Sequence, residues 1–346
     1  MINGQKNKVS VIMPCFNSVA YLEKSVRSIL SQTCSDFELI IVDDHSTDKT
    51  YDMASRLSSL DSRICLLKNR YTKGISGAVN TGIDAATGEY LTRMDSDDIS
   101  LPRRLEAQTA FLDSNQVYGI CSVNICLINS FGLSTTGPLF RKTEVPLEWM
   151  FLWENPIANA PAMVRKSLVD AFNIKYRDLT VAEDYDFLSR VALHTRVYQL
   201  QDVLYRYRKT PQGAFLKNKP IAISNSIVVS ENYAKEIGGS EMILFHRFFS
   251  EFCRGTAARE FTKRWPEVLS YAVKLLVSAQ SRWLWNETDY TLVQHDMIRR
   301  VLKNSGMSTA DRSVTARLND YLYSKKRHLS QLAHDVRGVF RHVNGR

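Results

Sequence analysis

No two of the six cysteines in this chain of 346 residues are spaced as a CxxC pair. Cys15, Cys34, Cys65, Cys121, Cys126 and Cys253 mostly stand inside apolar segments. That pattern excludes a finger- or ribbon-type zinc site and a disulfide frame, and reads as reduced core thiols. There is no GxGxxG and no GxxxxGK[ST] stretch, so neither a dinucleotide fingerprint nor a P-loop is supported. Long apolar runs are missing as well. The polar start, Met1 to Lys8, leads into a run too short for a signal peptide, and no stretch reaches the uninterrupted apolar length of a membrane span. Even the apolar segment Val268 to Trp285 is broken by Lys274, Gln280 and Arg282. There is no repeated unit or low-complexity tract. These absences leave a globular protein expected in the cytosol.

The composition is ordinary for such a protein, 44% hydrophobic and 23% charged, and the length suggests two or three domains or subdomains. The charge is not evenly spread. Residues 215–346 hold 21 Lys plus Arg against 12 Asp plus Glu, so the entire net charge of +9 lies in the C-terminal third. That third is helical in character and basic, with Arg299, Arg300, Lys303, Lys325, Lys326, Arg327, Arg337 and Arg341 among apolar residues. Such a surface suits anionic lipid, and equally a solvated helical subdomain. No nucleic-acid module accompanies it.

The first hundred residues alternate strand and helix. Val9–Met13, closed by Pro14, is a buried strand by its β-branched content, and Asn17 or Ser18 can cap a helix to about Gln32. Phe37–Val42 is a second strand, followed by the turn Asp43-Asp44-His45-Ser46-Thr47-Asp48, in which a helix-capping role suits Asp43. Helices ending near Leu60 and Ala86 flank a strand at Ile64–Leu67, and Glu89–Thr92 is a fourth. This order makes a parallel, doubly wound sheet, in which ligands bind beyond the carboxyl ends of the strands. Phe16, Asp44 and the acidic run Asp95-Ser96-Asp97-Asp98 all fall at such ends. Three carboxylates within four positions are costly to keep ionised and dry. A hard divalent cation removes that cost and shares its other sites with substrate phosphates; a solvated turn before Pro102 is the plainer alternative.

The ordered set Val9–Asn17, Val42–Asp48, Gly74–Asn80, Gly88-Glu89-Tyr90 and Asp95–Asp98 resembles the family 2 glycosyltransferases, whose DXD motif the last piece matches. The resemblance extends to about residue 210. It implies an α/β GT-A fold with a C-terminal helical region: residues 1–112 binding the nucleotide-sugar, 113–212 the acceptor, and 213–346 a basic helical part. It also implies site residues. Pro14, Phe16, Asn17, Asp44, Lys73, Asn80, Asp95 and Arg206 would contact the nucleotide-sugar, with Phe16 on the base and Asp44 on uracil. Asp97, with Asp95, would hold Mn²⁺ or Mg²⁺ against the diphosphate, while Asp98 caps the next helix.

Further on, Leu101–Asp113 reads as a helix, Tyr118–Ile128 as a long strand and Phe131–Pro146 as a loop. Asn155–Lys166 and Val181–Phe187 resemble the acceptor half of bacterial β-1,3-N-acetylglucosaminyl and hexosyl transferases of lipooligosaccharide, O-antigen or capsule assembly. In an inverting transfer, a carboxylate must take the acceptor hydroxyl's proton. Asp184 is the expected base, Glu183 its partner and Asp186 a second candidate; an acidic first turn on a helix would equally suit the dipole. Relatives often place a histidine after the Tyr205-Arg206 motif, where Arg208 and Lys209 stand here. The implied protein is a UDP-sugar-dependent enzyme with a saccharide acceptor carried on lipid, acting peripherally at the inner face of the plasma membrane. A nucleotidyltransferase and a silent scaffold of a polysaccharide assembly complex are the competing readings. The former typically carries a basic Gly-rich loop after the first strand, where this chain has Pro14-Cys15-Phe16-Asn17.

Overall fold

The computed structural model describes residues 7–140, 142–209, 218–240, 246, 275–276, 278–283 and 285–304. Strand β1 (Val9–Cys15) is buried at all seven positions, as its β-branched, apolar composition requires of a central strand. It pairs in parallel with β2 (Phe37–Asp43) on one side and β4 (Tyr90–Arg93) on the other, and β3 (Ile64–Lys68) adds in parallel outside β2. Helices α1 (Leu22–Leu30), α2 (Thr50–Ser58) and α3 (Ile75–Ala85) connect these strands. In α1, Leu22, Val26 and Ile29 recur at helical spacing and are fully buried. Each such side chain contributes about 1.5–3 kcal/mol by leaving water.

The doubly wound, mostly parallel sheet is present, and it is longer and more mixed than its first half suggests. Its order is β3-β2-β1-β4-β7-β6-β8-β5. The strands absent from the sequence-based expectation are β5 (Ile99–Ser100), β7 (Met163–Arg165) and β8 (Arg196–Arg208). β7 lies antiparallel between β4 and β6 (Tyr118–Ile128), while β8 runs parallel to β6 and holds β5 antiparallel at the edge. Very short strands such as β5 and β7 carry too few residues for a periodic signal. The remaining helices of this part are α4 (Arg104–Ser114), α5 (Leu147–Met150), α6 (Lys166–Ala171) and α7 (Glu183–Ala192).

Two boundaries differ from expectation for identifiable reasons. β1 continues through Pro14 to Cys15. The Ile12 carbonyl accepts from Met94 N on the β4 side, so Pro14, two residues on, turns its missing N–H to that side, past the last β1–β4 pair at Ile12 and Arg93. No ladder bond is lost. α1 starts at Leu22 rather than after Asn17, because Asn17 spends its side chain on the neighbouring loop.

The chain divides into two compact units, residues 1–236 and 237–346. α8 (Lys219–Gly238) is tied into the first unit by Asn225 Nδ2 donating to Val181 O and Tyr233 Oη to Glu148 O. That unit therefore extends beyond the expected edge near residue 212. In the second unit α9 (Glu287–Asn304) is the long described helix. The basic positions Arg299, Arg300 and Lys303 lie on it with side chains outside the described residues, and Lys325 onward lies outside them altogether. Cys15, Cys121 and Cys126 are buried thiols, whereas Cys65 is exposed. Among the described residues, no helix is long and apolar enough to cross a membrane.

Candidate active site

The strand ends of β1, β2 and β4 carry the donor-side residues. Phe16 is not a core aromatic: it is 46% exposed, with Lys73 Nζ 4.3 Å from its ring centroid. A cation over an open ring face marks a platform that can stack a flat, electron-poor partner. Asn17 adopts a left-handed conformation and its Oδ1 accepts from Thr47 N at 2.8 Å, which locks the loops after β1 and β2 together. Asp44 is buried and accepts from Asn69 Nδ2 at 2.6 Å and from Gly74 N at 2.9 Å. Gly74 has φ +138°, a backbone state that favours glycine, so this loop residue serves the carboxylate. Asp43 Oδ2 accepts from Ser46 N, so it closes the turn after β2 rather than capping α2, which starts only at Thr50.

Three expected donor contacts are placed differently. Pro14 is buried within β1. Asn80 donates to Tyr176 O and accepts from Tyr176 N, both at 2.8 Å, so its amide ties α3 to the segment before α7. Arg206 lies on β8 opposite Ile99 and Cys126, and it is Arg208 that reaches the acidic turn.

That turn is held from every side. Met94 N donates to Ile12 O, Asp95 N to Tyr205 Oη and Asp98 N to Asp95 O. Ser25 Oγ donates to the carbonyls of Ser96 and Asp98 at 2.9 and 2.7 Å. Arg208 Nε donates to Asp97 O at 2.6 Å, and Arg208 N donates to Asp98 Oδ1 at 2.6 Å. Asp98 is thus fully buried beneath the turn and bonded to β8. It does not cap α4, which starts only at Arg104. Lacking full compensation there, it is held well above the usual carboxylate range by burial, with Asp95 and Asp97 adding repulsion.

Asp95 and Asp97 are half-buried on this turn, with Asp95 Oδ1 3.1 Å from Arg93 Nε. Burial and then the charge of Asp95 push the Asp97 carboxyl up to about 6, partly offset by Arg208. Two crowded carboxylates on an immobilised turn fit a hard divalent cation. Among the described residues there is no group of three or more His, Cys, Asp or Glu arranged to hold a metal. The protein therefore offers this pair, and the other positions would fall to phosphate oxygens and water, the arrangement Mg²⁺-type ions accept. The Arg208 guanidinium cannot stand in, being committed to the carbonyls of Asp97, Asn129 and Ser130 and lying over the Tyr21 ring.

Across the site, α7 begins after Ala182, whose left-handed φ of +69° turns the chain so that Glu183 and Asp184 enter the first turn inward. Asp184 Oδ1 accepts from Tyr185 N at 2.7 Å, and Oδ2 accepts from Asn159 Nδ2, whose own oxygen is bonded by Asn155 Nδ2. Glu183 receives less help. Burial and the neighbouring Asp184 raise it to about 7, against the pull of Arg93. Asp184 is also raised by burial, but its amide bonds favour its anion. Of the two, Asp184 is the better stabilised as an anion, through its bonds from Asn159 and Tyr185. Asp186 is committed instead to ion pairs with Arg177 at 3.1 Å and Arg190 at 2.6 Å, which removes it as a free base.

Arg93 connects the two sides and was not singled out from sequence. It is buried at the end of β4, with Nε 3.1 Å from Asp95 Oδ1 and Nη1 3.6 Å from Glu183 Oε1. Burial opposes its charge, yet the surrounding carboxylates and Tyr176 hold its pKa well above the usual value. A cavity of about 30 Å³ lies among Arg93, Asn159 and Tyr176. The available signal was an arginine closing an otherwise apolar strand. Asn159 had no signal beyond its place in the acceptor segment.

Residues 10–151 match the model of the family described as glycosyl transferase family 2. The chain is 31% identical over 234 residues to the Escherichia coli UDP-Glc:alpha-D-GlcNAc-diphosphoundecaprenol beta-1,3-glucosyltransferase WfaP, covering 66% of this chain and 86% of that protein. Its fold is similar to that of S. aureus TarS 1-349, crystallised with UDP-GlcNAc, at TM-score 0.58 and 20% identity over 86% of this chain and 89% of that one. The mannosyltransferase PcManGT of Pyrobaculum calidifontis, solved with GDP-Man and Mn²⁺, gives TM-score 0.55 and 20% identity over 87% and 88%.

Proposed function

The chain belongs to glycosyl transferase family 2 with the GT-A fold, and from that premise we propose that it transfers a hexose or N-acetylhexosamine from a UDP-sugar, with inversion, to a saccharide carried on a lipid diphosphate. The observation that carries this reading is that two acidic pairs lie on either side of Arg93, one half-buried on a fixed turn and one partnered by amides. The donor and lipid acceptor named for WfaP support the substrate classes. Phe16 and Lys73 would receive the base, and Asp44, positioned by Asn69 and Gly74, would accept from it.

Asp97 and Asp95 would hold Mn²⁺ or Mg²⁺ against the diphosphate, a reading that the Mn²⁺ bound by PcManGT supports. When bound, such an ion neutralises charge on the departing UDP. Asp184 takes the proton from the acceptor hydroxyl as its oxygen bonds to the anomeric carbon and the bond from that carbon to the diphosphate breaks. Attack from the face opposite UDP converts an α-linked donor into a β-linked product. Asn159 orients Asp184, and Arg93 keeps neighbouring negative charges compatible. Work at the inner face of the plasma membrane, in the assembly of a bacterial surface polysaccharide, follows from such an acceptor. The test is a UDP-release screen over UDP-sugars with Mn²⁺, with and without a lipid-diphosphate acceptor. Metal-dependent release that rises with acceptor is expected; release absent from every donor overturns the reading.

A further inference from the structure

After β6 ends at Ile128, the chain makes a closed hairpin whose tip is unusually apolar. Its construction is not loose. Asn129 Oδ1 accepts from Phe131 N and Leu133 N at 3.0 Å each, Asn129 N donates to Leu133 O, and Gly132 N donates to Asn129 O. Gly132 sits at φ +88°, in the left-handed region such a turn demands. Returning, Ser134 bridges Ile128, and Thr135 N and Leu139 N donate to Leu127 O and Ile125 O.

This fixed turn holds Phe131 85% exposed and Leu133 66% exposed. Phe140, further along, packs against the core instead. The hairpin therefore sorts its apolar residues, and two large ones are directed into solvent at a cost that only a partner offsets. An exposed cation stands at its root, where Lys209 donates its N–H to Ile128 O.

The hairpin is also joined to the acidic turn by one side chain. Arg208 Nη1 donates to Asn129 O and Ser130 O at 2.6 and 3.0 Å, while its Nε donates to Asp97 O at 2.6 Å. Whatever grips the tip is thus held near the position where the donor's diphosphate would lie.

We propose that the Phe131–Leu133 tip inserts into an anionic lipid bilayer. A tip of two large side chains is far short of the roughly 1,200 Å² of a stable protein interface. It is enough for an interfacial anchor, where apolar side chains enter the acyl boundary and the lysine at the root meets anionic headgroups. The assignment rests on the lipid-linked acceptor proposed above, since it explains why such an anchor sits beside the transfer site.

The test uses the full chain, sedimented with vesicles of phosphatidylglycerol and phosphatidylcholine or of phosphatidylcholine alone. The wild type should sediment with the anionic vesicles. The double variant Phe131→Ser/Leu133→Ser should partition about tenfold or more weakly while releasing UDP from donor without lipid at the wild-type rate. Equal sedimentation of variant and wild type, or a wild type that stays in solution, overturns the proposal. Tip-dependent sedimentation by a chain that hydrolyses no UDP-sugar would leave the anchor standing and reject the proposed transfer.

Discussion

The two acidic pairs of the site have the same side-chain chemistry and opposite surroundings. On the proposed donor side, the protein bonds the backbone of residues 94–98 and leaves the half-buried carboxylates of Asp95 and Asp97 crowded together. On the acceptor side it bonds the carboxylate itself, through Asn159 and Tyr185 to Asp184. A fixed backbone with crowded, half-buried carboxylates favours a cation, whereas a bonded, oriented anion favours a proton in flight. In the proposed mechanism hydrogen bonding, not residue type, divides the labour, and Arg93 lies between the two pairs.

The largest effect is expected on the acceptor side. Asp184→Asn removes the base and should slow transfer by about 10²–10⁴-fold, read as UDP release with acceptor present. Next comes the connection between the pairs. Arg93→Met leaves Asp95 and Glu183 without their shared cation and should destabilise the fold by about 3–5 kcal/mol, measured by denaturant unfolding, with Arg93→Lys intermediate. Asn159→Ala should cost about tenfold in transfer. It also removes a bond that favours the Asp184 anion, so the acid limb of kcat/KM moves to higher pH. A limb that stays in place would show that Asn159 does not tune this carboxylate.

The smallest effect is on stability. Glu183, raised to about 7, binds its proton more tightly folded than unfolded. The stability it contributes is present below the ordinary Glu range and lost as pH rises through about 7. Glu183→Gln cannot ionise, so relative to wild type it should gain on the order of 1–3 kcal/mol between pH 5 and pH 8, measured by denaturant unfolding at both.

Much of the donor half was legible because its strands are long, buried and β-branched, and because the acidic run follows one of them. β1, β2, β4 and the full extent of β6 are read directly from such patterns. The acceptor half was less so. β7 has three residues, and its place between β4 and β6 depends on pairing distant in sequence. Asp184 could be picked from the acidic first turn of α7, but its partner Asn159 lies 25 residues away. Asn80 illustrates the opposite limit: a polar residue in the right segment acquired a structural partner, which spacing alone does not reveal.

The division of labour is tested most directly by calorimetric titration of Mn²⁺ and UDP into Asp97→Ala and Asp184→Asn. Binding should weaken by about tenfold or more in Asp97→Ala and stay within about twofold of wild type in Asp184→Asn. Undiminished binding by Asp97→Ala, or loss of binding by Asp184→Asn, would contradict the account.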